Sequence, residues 1–333
     1  MEIQELTLDE WAAVAERKRL GVFHMPDVLS VIDDHTDAEM RLLGGFDGKQ
    51  LVGMLPLFLH KYPGVRLALS PPPAVNMSRM GPVVMINSPK LRKQERLNQE
   101  FTEAVLNELD RYKGIMLYYM ILDTTYTDPR PYRWAGFRFE PRYTYQLDLR
   151  DRGADEVIAG FSRNLRWEIQ NFDDHSVEVS LGGVGDALRV YDDTKARFAE
   201  QGAKFPVSRA FTRDLISTLD DSARVYTATG PDGEYLGGIT VLYSDTTAYF
   251  WLGGTRANYQ NQSVNSFLHW QIIQDILSDP TLESVERYDL GRAAVKRLGR
   301  YKSKFNPELV PYYEIKSSRL IDLAKEAYKL VSY

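Results

Sequence analysis

The chain has 333 residues, 44% of them hydrophobic and 26% charged, which is ordinary soluble composition and enough for two hydrophobic cores. A net charge of −5 argues against a general nucleic-acid binder, and the absence of cysteine excludes disulfides, thiolate nucleophiles and Cys-based metal sites. The five histidines (24, 35, 60, 175 and 269) include no two at ligand spacing on one element, so no metal is expected. No apolar run approaches the roughly 18 residues of a membrane span, and the acidic start Met1-Glu2-Ile3-Gln4-Glu5 lacks a signal-peptide pattern, so a cytoplasmic protein is the expectation.

In chain order, Asp47-Gly48 between two alternating apolar runs predicts a hairpin whose second strand holds Leu51 to Leu57. A strand-like Pro82 to Met85, a charged helix from Leu91 to Tyr112 and a buried-strand run from Ile115 to Leu122 follow. Tyr143 to Leu149 alternates as a strand and Asp151-Arg152-Gly153 is turn chemistry, so the boundary is set near residue 150, with domains of 1–150 and 151–333. From Asp155 to Phe172, Ile158, Phe161, Leu165, Ile169 and Phe172 recur at helical spacing, opposite a polar face of Arg163, Asn164, Arg166 and Gln170. A second Asp-Gly hairpin at Asp232-Gly233 leads to a strand from Tyr249 to Leu252, the pair Gly253-Gly254, a loop from Arg256 to Ser263, a helix from Ser263 to about Leu277 and a strand from Val285 to Leu290. Hairpin, strand, helix and strand thus recur in both halves, which predicts a duplicated α/β unit.

The last part of the second half is basic. Arg287, Arg292, Lys296, Arg297, Arg300, Lys302 and Lys304 stand against the single acid Asp289. Such a run is either a solvated face or a phosphate site.

Four passages resemble the Fem-like branch of the GNAT acyltransferase superfamily, which is related to the BioF2-like acetyltransferases. They are Leu51 to Leu57, Ser162 to Ile169, Gly253 to Trp270, and Asp289-Leu290-Gly291-Arg292 followed by Arg300-Tyr301-Lys302 and Phe305. The resemblance implies two tandem GNAT-like α/β domains, each a mixed, mostly antiparallel sheet flanked by helices. It also implies transfer of an acyl group from acyl-CoA, or an aminoacyl group from charged tRNA, to an amine such as that of a cell-envelope precursor. Lys302 occupies the lysine position of the family's R-F/Y-K-x-x-F pattern, which gives it donor or phosphate duty.

That chemistry assigns roles to the surrounding residues. A helix start binds phosphate through unpaired N–H groups and its dipole, and Ser263 is the expected N-cap. Tyr259, Asn261, Gln262, Ser263 and Asn265, with Arg292 and Arg300, are therefore the candidate donor-binding residues. The loop lacks the glycines of the usual R/Q-x-x-G-x-G/A phosphate loop, so side-chain amides stand in for close backbone wrapping. Asp289 either accepts the amine proton, orients a base or caps a turn. Tyr249 and Trp251 alternate onto one strand face that could line an acyl slot, with core packing the stronger reading for Trp251. Arg166 is a candidate substrate contact, and His269, mid-helix beside Trp270, reads as packing. A non-catalytic protein recognising a nucleotide-linked envelope precursor or a protein partner is the competing class.

Overall fold

Both Asp-Gly pairs close hairpins, because the glycine supplies the positive φ that a tight connection needs: 62° at Gly48 and 78° at Gly233. The computed structural model describes residues 1–18, 20–73, 75, 79–86, 88–112, 115–172, 177–253, 258–292 and 294–317. In chain order the first half contributes β1 (Glu2–Glu5), α1 (Leu8–Ala15), α2 (Pro26–Asp34), β2 (Glu39–Asp47), β3 (Gln50–Tyr62), β4 (Val65–Ser70), β5 (Val83–Val84), α3 (Leu91–Leu109), β6 (Ile115–Ile121), α4 (Arg130–Trp134) and β7 (Arg138–Asp148). The second contributes α5 (Ala154–Gly160), α6 (Arg163–Phe172), β8 (Glu178–Gly182), α7 (Val184–Glu200), α8 (Arg209–Leu219), β9 (Ala223–Thr229), β10 (Tyr235–Tyr243), β11 (Thr247–Gly253), β12 (Asn258–Tyr259), β13 (Gln262–Ser263), α9 (Val264–Ser278), β14 (Arg287–Arg292), α10 (Lys296–Lys302) and β15 (Glu308–Lys316).

The chain forms two compact units, one of Met1–Arg142 with the residues from Pro311 onward, the other of Tyr143–Val310. This division differs from the expected one in two ways: it falls inside β7 rather than at the Asp151 turn, and it returns the end of the chain to the first unit. The reason for the return is pairing, since Glu314, Ile315 and Lys316 of β15 lie antiparallel against Ile121, Met120 and Tyr119 of β6.

The first unit's sheet runs β1-β2-β3-β4-β6-β15 and the second unit's runs β8-β9-β10-β11-β14-β7. In each, the fourth and fifth strands are parallel and the neighbouring pairs for which a register is given are antiparallel. Two helices follow the first strand of each order, and one long helix joins the fourth strand to the fifth. The repeat is therefore one of strand order and polarity, but the matching differs from the sequence-based one. The counterpart of β11 is β4, not Pro82 to Met85. Pro82 has no N–H for a ladder, and the stretch pairs only briefly, Val83 and Val84 as β5 on β3 and the Met85 N–H donating to Val52 O at 2.6 Å.

In the first unit α3 lays Phe101 over the sheet where two strand glycines make room: a Cβ at Gly45 would lie 2.3 Å from Phe101 Cδ2. In the second unit the periodic residues of 155–172 reach the core as expected, yet the helix is not continuous. Phe161 is extended (ψ 156°), the Ser162 N–H donates to Lys304 O at 2.8 Å, and Ser162 Oγ accepts from Leu165 N at the start of α6. A tertiary bond to a segment some 140 residues away thus breaks a pattern that local spacing reads as one helix. The long α9 buries Val264, Phe267, Leu268, Ile272 and Ile276 as predicted, and His269, Trp270 and Ile273 besides. Each such apolar side chain stabilises by about 1.5–3 kcal/mol. The far end of α9 is pinned by Asp275, which accepts from Arg224 at 2.7 Å and from the Tyr226 hydroxyl, both on β9.

Candidate active site around Lys302

Strand alternation divides the candidate residues between two faces of the second unit's sheet. On the α9 face, Phe250 stacks edge-on against His269 at 5.1 Å, and Tyr288 bonds His269 Nδ1 through its hydroxyl at 2.8 Å. On the other face lie Asp289, Tyr249 and Trp251, with Tyr249 opposite Asp289 in the parallel β11–β14 register. Trp251 is buried and packs on Phe211 of α8 at 6.4 Å, while Tyr249 is half-buried. Trp251 therefore belongs to a core.

Asp289 is buried at 2% exposure and accepts from donors on two strands. Oδ1 accepts from Thr144 Oγ1 at 2.6 Å and from the Gly291 N–H at 2.7 Å, and Oδ2 accepts from Gln146 Nε2 at 3.0 Å. Thr144 and Gln146 come from β7, and no sequence signal marks them as partners of Asp289. The turn reading of Asp289 is thus realised through Gly291, whose φ of 81° sits at an irregularity in the β14–β7 register between Asp289 and Gly291.

Lys302 ends α10 and points back at the end of β14, where its Nζ donates to Arg292 O at 3.1 Å and lies 6.0 Å from the Phe250 ring centroid. Burial pulls its pKa down to about 8, Asp289 opposing that shift and Arg197 of α7 adding to it. His269 is fully enclosed by Phe250, Tyr288, Tyr301 and Phe305. Burial, with a smaller effect of the nearby Lys302 charge, lowers its pKa to about 3, so the ring is neutral. Tyr301 is pushed above the usual phenol range by burial.

The start of α9 departs from the electropositive end that its own sequence suggests. Ser263 caps it, accepting from Ser266 N at 3.3 Å. Ser266 Oγ, however, donates to Glu168 Oε2 of α6 at 3.2 Å, and Glu168 Oε1 pairs with Lys304 at 3.1 Å. Tyr301 OH lies 3.5 Å from Ser266 Oγ, so α10 and the first turn of α9 do meet. The loop before α9 is a small hairpin, β12 on β13, turning at Gln260 and Asn261 with φ of 48° and 69°. Asparagine tolerates that left-handed region, which is how a glycine-free loop turns here. Gln262 is buried with Oε1 unpartnered among the described residues, Tyr259 is half-buried, and Asn261 is exposed. Gly254 and the loop residues Arg256 and Ala257 lie outside the described residues. Arg292 is half-buried, Arg300 exposed, and Arg166 donates to Ala159 O at 3.3 Å. Among the described residues no group of three His, Asp or Glu gathers as for a metal, and no helix is long and apolar enough to cross a membrane.

Residues 159–303, the span holding α6, α9, β14 and Lys302, match the family model for the acetyltransferase (GNAT) domain. Among solved structures, FemX aligns over 100% of both chains at 12% identity with a TM-score of 0.71. L-PGS from Bacillus licheniformis aligns over 94% of this chain and 92% of its own, at 13% identity and a TM-score of 0.55. A conserved protein of unknown function from Bacteroides thetaiotaomicron aligns over 94% and 98%, at 11% identity and 0.58. No curated protein sequence matches the chain. At these identities the likeness to solved structures is one of fold, over the whole length shared with FemX, while the GNAT domain match itself lies within the second unit.

Proposed function

We propose that this GNAT-type fold transfers an acyl group from acyl-CoA, or an aminoacyl group from charged tRNA, to an amine acceptor such as that of a cell-envelope precursor. The observation that carries the reading is Lys302, a half-buried cation held at the end of β14 inside the span matched by the acetyltransferase model. Amine attack on an ester or thioester builds negative charge on the carbonyl oxygen, and a preorganised donor aimed at that oxygen is worth roughly 3–4 kcal/mol. Lys302, protonated below about pH 8, supplies that donor. Asp289, already accepting from Thr144, Gln146 and the Gly291 N–H, serves as a fixed acceptor that shapes the turn beside Lys302 rather than as a mobile base.

For the donor, the first-turn N–H groups of α9 and the side chains of Arg292 and Arg300 are the phosphate contacts. The buried Gln262 Oε1 is an acceptor, which suits a donor N–H better than a phosphate. Tyr249, beside Asp289, is the acyl-slot contact, and Arg166 an acceptor contact. One observation favours the non-catalytic alternative: Glu168 brings a carboxylate to the very helix turn that would receive phosphate. Incubation of the purified chain with acyl-CoA species and charged tRNA in the presence of an amine library, read by mass spectrometry, tests the choice. An amide product supports transfer, whereas binding of a donor or precursor without product selects the alternative.

The charge of Lys302 also sets a pH dependence. Turnover should fall as pH rises through about 8, where the ammonium is lost, and Lys302→Arg should move that alkaline limb upward. An alkaline limb that stays in place in the arginine variant contradicts the assignment.

A further inference from the structure

Among the described lysines only Lys302, Lys304 and Lys316 are withdrawn from full exposure, and they differ in what meets the ammonium. Lys304 pairs with Glu168 at 3.1 Å, and Lys316 with Glu140 and Glu314 at 3.3 and 3.6 Å. Among the described residues Lys302 has no carboxylate in ion-pair contact. Its hydrogen bond goes to a neutral carbonyl, Arg292 O, so two of its three N–H donors meet no acceptor among the described residues. The glycine at 291 keeps space beside the amine, since a Cβ there would lie 3.4 Å from Nζ. The charged and titratable groups that act on it or feel it are Asp289 on β14, Arg197 on α7 and His269 on α9, with the Phe250 ring 6.0 Å away. Asp289 favours the ammonium, Arg197 and burial oppose it, and burial dominates. A half-buried cation without a counter-ion is costly, and the neutral amine relieves that cost.

We infer that Lys302 is itself an acyl acceptor, taking an acyl group as a stable amide from an activated acid derivative such as a thioester, an ester or an anhydride. In that step the Nζ lone pair attacks the carbonyl carbon, the carbon–sulfur or carbon–oxygen bond breaks, and the leaving group departs with the bonding electrons. The attacking nitrogen gives up one proton to the leaving group or to water, and nothing is oxidised or reduced. The resulting amide is uncharged. Acylation therefore switches off the role assigned to Lys302 above and limits the chain when donor is present without amine acceptor; only this consequence rests on the transfer reading.

Competitive labelling of the folded full chain with trace acetic anhydride, from about pH 6 to about pH 11 and read lysine by lysine by peptide mass spectrometry, tests the inference without any turnover. Lys302 should titrate into its reactive form with a midpoint near 8 and at that pH should label about tenfold or more faster than Lys304. Unfolding the chain in denaturant should erase the difference. A Lys302 midpoint near the ordinary 10.5, or a Lys302 that stays unlabelled while the exposed Lys296 reacts, overturns the inference. A midpoint near 8 combined with full transferase turnover by Lys302→Ala keeps the acceptor and removes the catalytic role, so the two failures are read apart.

Discussion

His269 and Lys302 both lie near the Phe250 ring, and both are held toward their neutral forms by burial, so both tie stability to pH with the same sign. The unfolded chain protonates the histidine near 6.5 while the folded chain resists until about 3, so the unfolded state binds the extra proton in that window. Stability therefore falls as pH drops through 6.5 and continues to fall toward 3, by about 2 kcal/mol at pH 5 from this residue. Urea unfolding at pH 7 and pH 5 should show this loss in the wild type and a flatter dependence in His269→Gln; equal slopes would mean that the ring is solvated after all. For Lys302 the window is about 8 to 10.5, where the folded chain has released the proton that the unfolded chain still holds. Stability rises there with pH, and Lys302→Met should abolish the rise.

At the scale of elements, the end of β14 is where backbone conformation and chemistry coincide. Gly291 adopts a φ of 81°, and a Cβ there would lie in ordinary contact with Lys302 Nζ at 3.4 Å. Gly291→Ala is expected to cost about 1–2 kcal/mol from the left-handed backbone, and relaxation of that turn to lower turnover by shifting the Arg292 carbonyl that holds the lysine. Thermal unfolding and turnover of the same preparation check this, and unchanged values in both would separate the turn from the site. Much of this region was legible in the sequence. The 3.6-residue period gave α9 and its buried stripe, Ser263 gave its cap, and the alternation gave β11 and β14. The partners of these elements were not legible, because nothing local encodes them. Asp289 meets Thr144 and Gln146 across 145 and 143 residues, and Glu168 meets Ser266 across 98. The same blindness made one helix of α5 and α6, since the bond that separates them comes from Lys304.

At the scale of the molecule, the repeat of strand order in two units rests on the chain's last described strand returning to the first unit. Removing the chain from Pro311 onward takes β15 from β6 and Ile315 from the first unit's core. Limited proteolysis of that truncated chain should degrade Met1–Arg142 while Tyr143–Val310 persists; an equally resistant first unit would show that β15 is dispensable. The central claim, that the GNAT-like fold performs acyl transfer with Lys302 at its centre, is tested most directly by steady-state kinetics of Lys302→Ala with the donor that the mass-spectrometric screen identifies. Loss of one oxyanion donor predicts a fall in kcat of about a hundredfold or more with the fold intact. A rise confined to KM would instead mean that the lysine holds donor phosphate equally in ground and transition states, which does not accelerate the chemical step. Wild-type values of both parameters would contradict the account and remove Lys302 from the site.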